Sequence, residues 1–394
     1  MKQFITTGIC NPEKHYMVDI RERLENIKDM VDTGKYFCIN RARQYGKTTT
    51  LTALSKYLSP NYAVISISFQ GIGGAGFSTE ESFVQSFCRL IKRAARTCPD
   101  IPERTLLAFS EFMDRREHLA RLDELYDAIL DRCAESVKPV VLIIDEVDAA
   151  SDYQAFLDFL AQLREGYLSR EARNEPAFHP VILAGVTDIK HLKSKIRQGD
   201  ELKFNSPWNI AADFDIDMSL SESGIRGMLD DYEADHHTYM DTLEIAREIY
   251  NYTEGYPYLV SRICQKIDTR LMDRHLTSGA EAWTIAGVSD AVREILTEKN
   301  TLFDSLMGKV YNNPGLSAVL QRILFGGERI PYNPDNIPAM DGEMYGFIQN
   351  KNGALGITNR IFETRLYNYF LSLEEMKDSP ISRAGAGKRR ASRG

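Results

Sequence analysis

Through the first 218 residues, short apolar runs alternate with stretches of helical spacing. Residues 36–40, 62–69, 138–145 and 179–187 read as strands. The unbroken β-branched and leucine content of 138–145 fits a strand buried on both faces of a parallel sheet. Residues 214–218 read as a short final strand after a loop at 206–210. Helical stripes fill the intervals at 20–31, 51–58, 79–95, 104–119, 120–136 and 153–164, with another helix at 188–196. The glycine-rich stretch 70–76 does not open a helix cleanly and reads as a flexible loop. Strands alternating with helices predict an α/β fold of three layers around a parallel central sheet.

From Ser219 the pattern becomes helical, at 221–233, 240–251, 257–273 and 282–297. Beyond 300, helices at 302–311 and 316–324 lead to short apolar runs at 344–349 and 354–357. The Asn-Gly pair at 352–353 between those runs signals a hairpin. Helices with a small hairpin resemble a winged helix, but the following helix over 359–373 is mixed in charge and shows no basic recognition face. That favours a packing or partner role. The expected division is an N-terminal helical segment at 1–35 packing on the core, an α/β core at 36–218, a helical lid at 219–299, a winged-helix-like domain at 300–373 and a flexible basic tail at 374–394.

Candidate chemistry sits at the ends of the strands. Gly46-Lys47-Thr48 closes a polar turn after the first strand and opens a helix, the arrangement of a phosphate-binding P-loop. Backbone N–H groups and the positive helix end would face the anion, Lys47 would reach the β- and γ-phosphates, and the Thr48 hydroxyl would ligate Mg²⁺. The glycine that usually opens such a loop is replaced by Arg41, which implies a different turn at its start. Asp145-Glu146 ends the 138–145 strand, where buried carboxylates need a cation or a water to act on. Asp145 is placed for the Mg²⁺ shell and Glu146 to polarise the attacking water. Thr187-Asp188 reads either as a γ-phosphate sensor or as a strand end capping the next helix. His15 or Tyr16 could lie near the base, or their segment could simply pack.

A net charge of −8 argues against a nucleic-acid coat. Six scattered cysteines, with no metal-ligand spacing, read as reduced thiols of a cytoplasmic protein. No apolar run of membrane-spanning length and no signal sequence appear, so no membrane partner is expected.

Asn40-Arg-Ala-Arg-Gln-Tyr-Gly-Lys-Thr48, Leu142-Ile-Ile-Asp-Glu-Val-Asp148, Asn205-Ser-Pro-Trp-Asn-Ile210, Gly255-Tyr-Pro257 and Asn359-Arg-Ile-Phe-Glu-Thr-Arg-Leu-Tyr367 together resemble bacterial AAA-like ATPases of the STAND/archaeal-ATPase type. The resemblance implies ATP and Mg²⁺ as cofactors, with phosphates held by Gln44, Tyr45, Gly46, Lys47, Thr48 and Thr49. It places Pro257 near the adenine. It also implies catalytic roles for Lys47, Glu146 and Thr187, metal ligation by Thr48 and Asp145, and work as a homo-oligomer. Relatives often carry a PD-(D/E)XK nuclease-like domain, which is not expected in this sequence. Arg41, Arg43, Arg164 and Arg197 stand open as candidates for a charge-neutralising arginine. The expected activity is Mg²⁺-dependent ATP hydrolysis by a molecular switch. The rival is a binding module that hydrolyses little and presents 300–373 to a protein or DNA partner.

Overall fold

The computed structural model describes residues 2–96, 98, 121–187, 189, 206–272 and 279–378. The helix expected at 104–119, that at 188–196 (Ile189 apart), Arg197 and the tail beyond 378 lie outside the described residues. Contacts divide the chain into two compact units. An α/β unit comprises Ile20–Ala42 and Gly46–Met218. A helical unit comprises Met1–Asp19, Arg43–Tyr45 and Ser219–Gly394.

In the α/β unit, β1 (Phe37–Asn40), β2 (Ala63–Ser68), β3 (Val140–Asp145) and β4 (Val181–Gly185) form a parallel sheet in the order β1-β4-β3-β2. Every residue of β3 and β4 is buried, as their continuous apolar sequences require. The unit also holds α1 (Arg21–Asp32), α2 (Lys47–Leu58), α3 (Glu80–Ala95), α4 (Leu122–Glu135) and α5 (Gln154–Arg173). A reciprocal pair of bonds between Thr79 and Ser82 starts α3, and Phe83, Phe87 and Ile91 fill its buried stripe. Each such side chain contributes about 1.5–3 kcal/mol by leaving water. The register pairs Asn40 with Gly185 and Ser68 with Asp145, so the last residues of the four strands share one end of the sheet. Ligands of parallel α/β sheets bind at that end.

Two expectations are corrected in this unit. Residues 214–218 are not a strand; only Ala212 makes a single bridge, to Phe37, beside β1. The carbonyls of Phe214 and Ile216 accept from the Arg41 guanidinium at 3.4 and 2.8 Å, so a side chain stands where a backbone ladder was expected. The Phe214 ring also stacks on Phe37, with centroids 5.9 Å apart. The glycine-rich stretch forms two short 3₁₀ turns, Phe69–Gly71 and Gly74–Gly76, anchored by buried Phe69 and Phe77.

The helical unit contains α6 (Glu222–His236), α7 (Thr242–Thr253), α8 (Pro257–Met272), α9 (Gly279–Ala282), α10 (Ile285–Thr297), α11 (Thr301–Asn312) and α12 (Pro314–Leu324). It ends with α13 (Ile337–Met344), the antiparallel pair β5 (Ile348–Lys351) and β6 (Ala354–Ile357), and α14 (Arg360–Asp378). Ser221, Asp241, Thr284, Asn300 and Asn313 each accept a first-turn N–H with their side chains, which fixes where these helices begin. The hairpin forms at Asn352-Gly353, with φ of 54° and 80°, the left-handed pair that a type I′ turn needs. The helix α13 was not expected. Near the N-terminus, Phe4 and Tyr16 join this unit's core; the Tyr16 hydroxyl donates to Asp235 at 2.7 Å, and the His15 ring accepts from the Asn11 N–H at 2.9 Å.

Candidate functional site

Between β1 and α2 the chain reverses through left-handed residues at Gln44 (φ 57°) and Gly46 (φ 79°). Arg41 is not among the left-handed positions, so no glycine is needed there. Its guanidinium instead donates to the carbonyls of Asn40, Phe214 and Ile216. The Lys47 ammonium donates to the carbonyls of Arg41 at 2.8 Å and Ala42 at 3.0 Å, closing the loop on itself with the side chain only 7% exposed. Gly46 is the N-cap of α2 and no side chain caps that helix. The start of α2 carries the positive end of the helix dipole.

Asp145, at the end of β3, is 6% exposed. Its Oδ2 accepts from the Thr48 hydroxyl at 2.7 Å, and its Oδ1 from the Glu146 N–H at 2.9 Å. Glu146 is left-handed (φ 56°, ψ 42°) and opens a short 3₁₀ turn, Val147–Ala149. Non-glycine residues hold such a conformation only when their surroundings impose it, and functional sites are where they gather. Two residues after Glu146, within that turn, Asp148 accepts from the Val186 and Thr187 N–H groups, each at 2.7 Å. The carboxylate therefore fixes the backbone carrying Thr187. Gly185 leaves room for this: a Cβ there would lie 2.9 Å from Asp148 Oδ2.

The α/β unit thus brings Lys47, Thr48, Asp145, Glu146 and Thr187 to the carboxyl ends of its strands, with Thr49 in the first turn of α2. Gln44 and Tyr45 group with the helical unit, as does Pro257, the first residue of α8. There Gly255 is left-handed (φ 73°), and the Tyr256 hydroxyl donates to the Arg43 carbonyl. Burial raises that hydroxyl's pKa far above the usual phenol range and keeps it protonated as a donor. Among the arginine candidates, Arg43 is exposed, Arg164 is half-buried on α5, and Arg41 is engaged by three carbonyls. The sequence reading gave neither Asp148 nor Tyr256 a role at the candidate site. A third acidic residue in Asp-Glu-Val-Asp was the available signal for Asp148, whereas Tyr256 gave none. Among the described residues, no group of three or more His, Cys, Asp or Glu could hold a metal, and no helix is long and apolar enough to cross a membrane.

A parallel sheet with a P-loop after β1 and a carboxylate pair after β3 defines the P-loop nucleotide-binding class of fold. The chain belongs to the AAA-like domain family, which matches residues 13–366. A Walker-type ATPase of Pyrococcus abyssi is similar in fold, with 13% identity over 92% of this chain and 99% of that one and a TM-score of 0.60. An ORC2 protein of Aeropyrum pernix, solved in ADPNP–ADP complexes, is 13% identical over 89% of this chain and 95% of that one, with a TM-score of 0.47. No curated protein matches the sequence.

Proposed function

We propose that this chain binds ATP with Mg²⁺ and hydrolyses it, acting as a molecular switch. The observation that carries the proposal is the 2.7 Å contact between the Thr48 hydroxyl of the P-loop and the Asp145 carboxylate of β3. Two hard oxygen donors meet at one spot beside an anion-binding helix start, which suits Mg²⁺ held by one carboxylate, one hydroxyl and substrate phosphates. When bound, the ion supplies charge neutralisation across the β- and γ-phosphates.

The chain's own residues do the rest. The amides from Gln44 to Thr49 cradle the phosphates, and Lys47 exchanges its loop carbonyls for β- and γ-oxygens. Glu146 orients the attacking water and takes its proton, while Thr187, held by Asp148, contacts the γ-phosphate. Pro257 borders the adenine. An exposed arginine such as Arg43, or Arg164 from a second copy in a homo-oligomer, neutralises the transition state. In this reading 20–35 packs on an ATPase core at 36–218, residues 1–19 grouping with the helical unit instead of with that core, 219–299 forms a lid, and 300–373 is a winged-helix-like module that meets a protein or DNA partner in the cytoplasm.

Calorimetric titration with ATP and Mg²⁺ tests the binding half. Wild type should bind. Lys47→Ala should weaken binding roughly ten- to a hundredfold, the worth of a charge-assisted hydrogen bond. Asp145→Asn should remove the benefit of Mg²⁺ while leaving weaker, Mg²⁺-independent binding. Equal affinity in all three proteins would place the nucleotide elsewhere.

A further inference from the structure

The P-loop has one non-glycine residue in the left-handed region, Gln44, and the chain holds it there without a glycine at position 41. Such a conformation costs about 1–2 kcal/mol for an L-residue and persists only where the surroundings fix it. The helical unit supplies that fixture. Tyr256 is 1% exposed, and its hydroxyl donates to the carbonyl of Arg43, the carbonyl of the peptide leading into Gln44. Its ring meets Tyr45 edge-on, with centroids 4.9 Å apart and planes at 80°. On α14, Phe362 also meets Tyr256 edge-on at 5.2 Å, and it lies 6.2 Å from Phe347 just ahead of the hairpin.

In a trans peptide the C=O and N–H point in opposite directions. A hydrogen bond that pins the Arg43 carbonyl therefore also aims the Gln44 N–H. We infer that Tyr256 is a positioning residue for nucleotide binding: its hydroxyl locks the Arg43–Gln44 peptide so that the Gln44 N–H is presented to the phosphates. The inference rests on the ATP-binding reading above.

The test is ATP titration with Mg²⁺ into wild type, Tyr256→Phe and Tyr232→Phe, with melting temperatures taken without nucleotide. Tyr232 is the control, because its hydroxyl is a second buried donor of the same unit, bonded to Asp268 at 2.7 Å. Tyr256→Phe keeps the ring and loses only the hydroxyl. It should weaken ATP binding about tenfold, while Tyr232→Phe stays within about twofold of wild type and the two melting temperatures fall alike. If Tyr256→Phe binds as wild type does, or if Tyr232→Phe loses as much affinity, the positioning role is wrong and the ATP reading survives. A wild type that binds no ATP overturns both.

Discussion

At the scale of single residues, Asp148 does the least visible and most consequential work. One carboxylate takes two backbone N–H groups from the turn after β4, so the position of Thr187 depends on a side chain 39 residues earlier in the sequence. Asn at 148 would keep one acceptor and turn an amide NH₂ toward the second N–H. Asp148→Asn is therefore expected to cost about 1–3 kcal/mol in urea unfolding, with the slope unchanged, and to slow ATP turnover more than it weakens ATP binding. Turnover and affinity falling together would mean that Thr187 does not act as a sensor. Lys47, Thr48 and Asp145 were legible in the sequence because each stands at a fixed offset from a strand end, and strand ends are marked by where an apolar run stops. Asp148 and Tyr256 were not, since their bonds reach backbone atoms across 38 and 213 positions and leave no periodic trace.

At the scale of elements, the Gly-Tyr-Pro turn between α7 and α8 is a tight joint of the helical unit. Gly255 is left-handed, its carbonyl accepts from the Leu220 N–H at 2.8 Å, and a Cβ there would meet the Leu220 carbonyl oxygen at 2.1 Å. Gly255→Ala combines a conformational penalty with a clash against backbone, and is expected to destabilise the protein by roughly 2–5 kcal/mol. Calorimetric unfolding measures this, and a loss below about 1 kcal/mol would show that the turn yields easily. The strand expected at 214–218 failed for a related reason. Alternating Phe, Ile and Met satisfied the strand pattern, but Arg41 captured the carbonyls that a ladder would have used. The helix α13 escaped because it is short and weakly amphipathic; Asn336, whose side chain caps the Ala339 N–H, with Pro338 at its start, was the signal to read.

At the scale of the whole molecule, the α/β unit carries Lys47, Thr48 and Asp145 at the ends of its strands, and Arg43–Tyr45 group with the helical unit. The parallel sheet and the Asn-Gly hairpin follow from burial and turn chemistry that a sequence displays directly. Steady-state ATP turnover with Mg²⁺ reads out hydrolysis by Glu146 of an ATP held by Lys47, Thr48 and Asp145. Wild type should turn over, and Glu146→Gln should lose about 10²- to 10⁴-fold in rate while still binding ATP, the usual worth of a general base. Specific activity that rises with protein concentration would place the neutralising arginine on a second copy. Equal turnover by wild type and Glu146→Gln would contradict the account.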